Sequence, residues 1–122
     1  GRLFCSILHL LGRDRDTATA RIMVGFLSVP SFEQRPDEER RAIYAALGGA
    51  ATDDVLPELE AELAKGNWLT RGVEVHRQAI ARCVARLGTP RALALLERGA
   101  ESRRSTVRVA CGEALRRLGV RD

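Results

Sequence analysis

Arginine offers this chain the most chemistry, because it supplies 19 of the 20 basic residues among 122. Three arginines, Arg40, Arg77 and Arg108, fall in register when the chain is aligned with itself. A guanidinium can bind a carboxylate or a phosphate through two parallel hydrogen bonds, and it can also satisfy free carbonyls at a helix end. We therefore expect either a ladder of structural arginines between repeated elements or a basic stripe for an anionic partner.

The segment between residues 64 and 73 has the residue types of a binding interface. One repeat spacing is 37 residues and the next is 31, which leaves about six additional residues in this segment. Trp68 and Arg71 lie within it, and Trp and Arg often dominate the energetics of interfaces. Trp68 could instead fold back and seal the edge between two repeats, so both interpretations stay open.

Further arginines near the C-terminal end lie beside hydroxyl side chains. Arg98, Arg103 and Arg104 are close in sequence to serine and threonine residues. Such side chains supply many of the phosphate contacts in nucleic-acid interfaces, so these arginines are candidate partner-binding residues. The alternative is a solvated turn in which Ser105 or Thr106 caps the next helix.

Cysteine and histidine do not form a pattern typical of catalysis or metal binding. The cysteines Cys5, Cys83 and Cys111 include no CxxC pair, and only His9 and His76 could complete a tetrahedral site. The sequence also lacks glycine-rich phosphate loops and the HExxH zinc motif. We expect no enzyme activity, no cofactor and no metal. Free cysteines are typical of a reducing compartment, most simply the cytoplasm.

Composition and charge exclude several classes of protein. With 45% hydrophobic, 30% charged and 4% aromatic residues, the chain can build a core but does not resemble a β-sandwich, a collagen or a disulfide miniprotein. No apolar run approaches the ~20 residues of a membrane span, so no membrane partner is expected. The net charge is +4, but residues 36–66 carry −5 and residues 67–122 carry +7. The basic half could attract a nucleic acid or an acidic protein.

An internal repeat indicates the elements that position these residues. Shifts of 37 and then 31 residues align two sets of apolar positions as well as the three arginines. The two sets are Ile43, Ile80 and Cys111, and Leu47, Val84 and Leu115. Their i, i+4 spacing is typical of the buried stripe of an amphipathic helix. The repeat units span residues 3–27, 36–65, 74–99 and 104–119, and three hairpins plus a terminal helix predict seven helices.

Turn and capping residues mark the ends of these helices. Gly88 should end the helix over residues 74–87, because glycine adopts the left-handed conformation that follows many helices. The pair Gly48-Gly49 predicts another helix end. Thr89 and Asp54 should cap the second helices of their units, since each precedes a proline that fits the first helical turn.

Stacking of these units predicts the architecture. A single hairpin cannot bury its own apolar face, whereas several stacked hairpins bury a continuous core. We expect one all-α domain over residues 1–122, a right-handed α-solenoid of about three and a half helical hairpins. A compact helical bundle is the alternative, although a bundle gives no reason for arginines in register.

The repeated segments resemble HEAT repeats, in particular the short HEAT-like units of bacterial proteins. The resemblance covers residues 38–119 well and residues 3–27 weakly. It rests on four matching segments, residues 39–47, 55–59, 87–93 and 107–115, which include the Leu-Gly stop at Leu87-Gly88, the Thr-Pro cap at Thr89-Pro90 and the Val-Arg pair at Val107-Arg108. The resemblance implies a scaffold or adaptor that offers a curved surface to other macromolecules, and it implies no catalytic residues.

Two functions remain open at this point. The favoured one is a non-catalytic protein–protein interaction scaffold, whose partner of unknown identity would bind a groove along the second helices. These helices carry Glu58, Glu62, Arg91 and Leu95. The alternative is a nucleic-acid-binding solenoid that uses the arginine-rich C-terminal half, although aromatic residues for base stacking are scarce.

The N-terminal helix predicts a further contact. Leu3, Phe4 and Leu8 suggest an apolar face that no preceding helix covers. Because the chain also begins at Gly1 rather than at Met, we expect it to be the C-terminal part of a longer protein. In isolation it could form a homodimer through this N-terminal face.

Overall fold

The computed structural model describes residues 1–65 and 72–119, and within these ranges the fold is all-helical, with seven α-helices, two 3-10 helices and no strand. The α-helices are α1 (Arg2–Leu11), α2 (Thr17–Ser28), α3 (Asp37–Ala50), α4 (Leu56–Ala64), α5 (Val73–Leu87), α6 (Pro90–Gly99) and α7 (Ser105–Arg117). The 3-10 helices are Pro30–Gln34 and Asp53–Val55. For these ranges, the predicted all-α class and the count of seven helices are confirmed. None of the helices described is long and apolar enough to cross a membrane.

The helices pack in an ordered series. Helix α1 packs on α3, α3 on α5 and α5 on α7. The intervening helices α2, α4 and α6 pack against α3, α5 and α7 respectively, and α4 also contacts α6. The residues buried between them form one continuous hydrophobic core.

The aligned apolar positions of the repeat are the centre of this core. Each of the six side chains is fully buried: Ile43, Ile80, Cys111, Leu47, Val84 and Leu115. Helices α3, α5 and α7 therefore bury the same face, as the internal alignment predicts.

Hydrogen bonds join the turn between α1 and α2, the turn between α3 and α4, and the turn between α5 and α6. The hydroxyl oxygens of Thr17 and Thr52 lie 2.6 Å apart. The hydroxyl of Thr89 donates to Oδ1 of Asp53 at 2.5 Å. The backbone N–H of Asp16 also donates to the carbonyl of Ala50 at 2.8 Å. These bonds link each turn to the next and were not predicted from the sequence.

The predicted end of α3 at Gly48-Gly49 is wrong. The helix continues through both glycines to Ala50. A Cβ atom on Gly49 would overlap the carbonyl oxygen of Gly12, which follows α1. This glycine therefore allows the backbone after α1 to approach α3 closely, and it does not end the helix.

The capping predictions succeed at one turn and fail at another. Thr89 caps α6 as expected, since its hydroxyl accepts a hydrogen bond from the N–H of Ala92 at 3.2 Å, and Gly88 has a φ of +67°. The predicted cap by Asp54 is wrong. The 3-10 helix Asp53–Val55 leads directly into α4, so that Asp54 lies inside a helical turn and is exposed.

Helix α1 exposes an apolar face, although not the one expected. Leu8 was predicted to lie on it, but Leu8 is buried against the core. Four other side chains of α1 are exposed: Leu3, Ile7, Leu10 and Leu11. Phe4 is partly buried and contacts Phe26 edge to face, with ring centroids 5.9 Å apart.

Candidate binding groove

A broad groove of about 1360 Å³ lies along the face that α3 and α5 share. Residues 37, 40, 41, 44, 45 and 48 of α3 line it, and this spacing is that of one helical face. Residues of α5 from 75 to 86 line the other helix wall in the same way. The end of α2 and the 3-10 helix Pro30–Gln34 complete the lining together with Lys65 and Gly72.

One part of the groove is apolar. Val29 is 42% exposed and Val75 is 66% exposed, and both line the groove with Pro30. Phe32 and Tyr44 also line the groove; Phe32 is buried, and the two rings meet edge to face with centroids 5.5 Å apart. Together these side chains give the groove apolar surface that can contact apolar groups of a partner.

Another part of the groove is basic. Arg41 of α3 and Arg82 of α5 are exposed and make no ion pair with any residue that the structure describes. Arg86 lies one helical turn beyond Arg82, so the two lie on one face of α5 about 6 Å apart at Cβ. The Arg86 guanidinium donates to the carbonyl of Ala45 at 3.4 Å, which draws it toward α3.

The carboxylates of the groove mostly have partners already. Asp37 forms an ion pair with Arg40, and Glu62 pairs with Lys65 at 2.5 Å. Glu33 is exposed and makes no ion pair among residues 1–65 and 72–119. The unpaired charges of the described groove are therefore mainly positive.

Arg15 adds a second guanidinium next to Arg86. Its Nη1 donates to the carbonyls of Gly48 at 2.5 Å and Ala51 at 3.2 Å, and its Nη2 donates to the carbonyl of Arg86 at 3.2 Å. Burial and the neighbouring Arg86 charge lower the pKa of Arg15. Periodicity does not indicate a role for Arg15, and only the need of the last α3 carbonyls for donors could have indicated it.

A buried polar network forms part of the groove wall. The Tyr44 hydroxyl lies 2.6 Å from Nδ1 of His76, and Nε2 of His76 lies 3.1 Å from Oε1 of Glu62. Glu62 is only 2% exposed, and its other oxygen faces Lys65. The network was missed because Glu62 and His76 are 14 residues apart and belong to different helices.

The electrostatics of this network favour a structural role. Burial raises the pKa of the Tyr44 hydroxyl far above its usual value, so the phenol keeps its proton and can donate it to His76. Burial also acts to raise the pKa of Glu62, but hydrogen bonds from His76 and Lys65 outweigh it and lower the pKa. A phenol that stays protonated is a poor nucleophile, whereas a charged and fully bonded carboxylate fixes the geometry of its neighbours.

The buried thiols have little reactivity. Burial raises the pKa of Cys83 to about 12 and that of Cys111 to about 11. Both therefore remain protonated at neutral pH, and the thiolate is the reactive form. The described residues contain no group of three or more His, Cys, Asp or Glu side chains that could hold a metal ion.

The three arginines in register contact segments that precede their own helices. Arg40 pairs with Asp37 and donates to the carbonyl of Glu33 at 3.3 Å. Arg108 is exposed and donates to the carbonyl of Ser102 at 3.1 Å. Their common partner is thus a backbone carbonyl just before the helix that carries the arginine.

Arg77 has the most extensive contacts of the three. It is 2% exposed and donates to the carbonyls of Leu63 at 2.8 Å and Lys65 at 2.9 Å. Leu63 lies in the last turn of α4, and Lys65 directly follows that helix. It also bonds the hydroxyl of Thr106 in α7. One guanidinium thereby connects α4, α5 and α7.

The other candidate arginines are dispersed over the surface. Arg91 and Arg103 are exposed, Arg98 pairs with Glu60 at 3.3 Å, and Arg104 bonds the carbonyl of Ala64. None of these four residues lines the groove. The candidates Trp68 and Arg71 lie outside the described residues.

The groove described here lies between α3 and α5, whereas a groove along the second helices was predicted. Of the residues that those helices carry, Leu95 is buried in the core, and Glu62 is buried in the polar network at the wall of the α3–α5 groove. The predicted cap of α7 by Ser105 or Thr106 is wrong, because Ser105 is already helical. The Ser102 hydroxyl instead accepts a bond from the N–H of Arg104 at 3.1 Å, which holds the preceding turn.

Comparison with protein-family models, curated proteins and solved structures found no match to this chain.

Proposed function

We propose that the chain is a HEAT-like α-solenoid that acts as a non-catalytic protein–protein interaction scaffold. The packing of α1 on α3, α3 on α5 and α5 on α7 supports the solenoid, because stacked repeats contact mainly their neighbours. The hydrogen bonds between successive turns, Thr17 to Thr52 and Asp53 to Thr89, support it further. Each of these bonds joins the turn of one helical hairpin to the turn of the next hairpin along the chain.

The groove on α3 and α5 is the observation that carries the scaffold function. It presents exposed Val29 and Val75 together with Arg41 and Arg82, which have no ion-pair partner within the described chain. These side chains add little to the stability of the chain itself, since they are exposed. Arginine is enriched among interface hot spots, and a preformed surface loses little conformational freedom on binding.

The contacts of the C-terminal arginines favour a protein partner over a nucleic acid. Arg98 and Arg117 pair with Glu60 and Glu113, and Arg104 bonds a backbone carbonyl. A surface in which arginines alternate with glutamates attracts phosphates less than a continuous basic face does. A nucleic-acid-binding solenoid is the alternative function, and affinity that falls steeply with salt would mark it.

The test is a pull-down with the full chain from a lysate of the organism that encodes it, in nuclease-treated and untreated arms. A discrete protein recovered equally in both arms supports the scaffold. Nucleic acid recovered only without nuclease, and lost at raised salt, supports the alternative. Ala45→Trp places a bulky side chain in the groove and should abolish capture, whereas Ala94→Trp, at an exposed position of α6 outside the groove, is the matched control. Capture that survives Ala45→Trp contradicts the role of the groove.

A further inference from the structure

The groove changes character along α5. Val75 lies near the start of the helix, whereas Arg82 and Arg86 lie two and three turns later on the same face. At a rise of 1.5 Å per residue, Val75 and Arg86 are separated by about 16 Å along the helix axis. An extended segment of about five residues covers this length. The groove is thus long enough for a short peptide, and it is apolar near Val75 and basic near Arg82 and Arg86.

The unpaired charges of the groove are unequal in sign. Arg41, Arg82 and Arg86 have no carboxylate partner in the described structure, while Glu33 is the acidic side chain without an ion pair there. Arg15 brings a further positive charge to the backbone of Arg86. Neighbouring like charges repel, so an anionic group bound here relieves that repulsion as well as forming new bonds.

We infer that the groove binds an acidic peptide segment of the partner protein. Apolar side chains of the peptide would pack on Val29 and Val75, and its carboxylates would bind Arg41, Arg82 and Arg86. This inference rests on the proposed function and specifies the chemistry of the partner. The positive charge of the groove favours acidic side chains in the peptide, and the exposed valines favour apolar side chains next to them in the peptide sequence.

The apolar end distinguishes a peptide from a nucleic acid. A phosphate backbone gains nothing from contact with Val29, Pro30 and Val75. Bases would need an exposed aromatic face for stacking, but of the two aromatic side chains in the described lining Phe32 is buried and meets Tyr44 edge to face. An acidic peptide with apolar side chains uses both ends of the groove.

The test selects peptides from a displayed random library on the immobilised full chain. Recovered peptides are synthesised with a fluorophore, and their binding is measured by anisotropy. We expect Asp or Glu next to bulky apolar residues. The double variant Arg82→Glu/Arg86→Glu should weaken binding at least about tenfold. The matched control Arg2→Glu/Arg116→Glu changes the charge equally on exposed residues outside the groove and should alter binding less than about twofold.

A charge swap makes the assignment specific. Replacing the acidic residues of a selected peptide by Lys should restore binding to Arg82→Glu/Arg86→Glu and abolish binding to the parent chain. Arg41→Glu is a second variant in the other helix, and circular dichroism checks that each variant is folded.

Several outcomes overturn the inference without affecting the scaffold. Selected peptides that are neutral or basic do so, and so does equal loss of affinity in the groove variant and the surface control. An oligonucleotide that displaces the peptide and is itself lost in the groove variant points to nucleic acid instead. Failure to select any peptide, together with no protein captured in the pull-down, also removes the proposed function.

Discussion

The hydroxyl oxygen of Tyr44 lies 2.6 Å from Nδ1 of His76, and this contact joins α3 to α5 at the wall of the groove. The imidazole continues to Glu62 of α4 at 3.1 Å. Three helices that are separate in sequence are therefore linked by one chain of polar atoms. Because Glu62 is almost completely buried, loss of any member leaves unsatisfied groups inside the protein.

Glu62→Gln should destabilise the fold by about 1–3 kcal/mol at neutral pH, since it removes the charge that holds His76 and Lys65. The pKa of Glu62 is lowered in the folded state, so its contribution is complete above the ordinary glutamate pKa of about 4.3. That contribution is lost as the pH falls through the lower folded pKa. The parent chain should therefore lose stability over this acidic range, and Glu62→Gln should lose less. Urea unfolding at a series of pH values measures both effects.

Glu60→Gln is the control on the same helix. Glu60 is exposed and pairs with Arg98 at 3.3 Å across the surface, a contact worth less than about 1 kcal/mol. Equal destabilisation by the two substitutions, or an unchanged pH profile in Glu62→Gln, contradicts the assignment.

Arg77 and Arg108 occupy the same register position but should differ greatly in their effect on stability. Arg77→Met keeps most of the apolar stem and removes the donor from one buried bond, to the carbonyl of Leu63, and from one partly buried bond, to the carbonyl of Lys65, so we expect a loss of about 2–4 kcal/mol. Arg77→Lys should recover little, because an ammonium cannot reach several acceptors as a planar guanidinium does. Thermal and urea unfolding of both variants provide the measurement.

Arg108→Met is the matched substitution and should lower the unfolding free energy by less than about 1 kcal/mol, since its bond to Ser102 is exposed. A similar loss in both methionine variants would show that burial does not distinguish the two arginines.

Repetition explains what could be predicted and where prediction failed. Ile43, Ile80 and Cys111 align in sequence and are all fully buried, because each repeats the same packing against its neighbours. Arg77 and Arg108 align equally well, yet α7 covers Arg77 through Thr106, whereas no described helix follows α7 to cover Arg108. The alignment therefore predicts where each arginine lies within its repeat. It does not predict whether a neighbouring helix covers that arginine and buries it.

The groove could not be predicted for a related reason. It depends on how α2, α3 and α5 are placed in space, and its network joins Tyr44, Glu62 and His76 from three helices. Local patterns identify helices and their buried stripes, since these depend on residues three or four positions apart. Contacts between side chains of different helices depend on how the helices pack in space, and the periodicity of the sequence does not predict that packing.

The exposed apolar face of α1 should cause self-association, although, apart from Leu3, its residues differ from those predicted from the sequence. Leu10 is 60% exposed, and Leu3, Ile7 and Leu11 extend the same patch. Leu10→Glu should shift a dimer toward the monomer in light scattering at several concentrations. Val109→Glu on α7 is the control, because Val109 is 53% exposed outside this patch. A parent chain that is monomeric at all concentrations contradicts the prediction.

Gly48 and Gly49 are adjacent in α3 and should respond in opposite directions to alanine. A Cβ on Gly48 would lie 3.5 Å from Cys83 and Arg86 side-chain atoms, an ordinary contact, while alanine favours the helix by about 1 kcal/mol over glycine. Gly48→Ala should therefore be neutral or stabilising. A Cβ on Gly49 would overlap the backbone of Gly12, which cannot move aside as a flexible side chain can. Gly49→Ala should destabilise by about 1–3 kcal/mol through overpacking.

Urea midpoints of the two variants test this contrast, provided that the slopes stay unchanged. If the approach of Gly12 to Gly49 positions α1, the destabilised variant should also lose protection from amide exchange first in α1, which packs on α3 beside this contact. Stabilisation by both substitutions would mean that the backbones at Gly12 and Gly49 can separate without lowering the free energy of unfolding. The close contact between α1 and α3 would then not be a determinant of the fold.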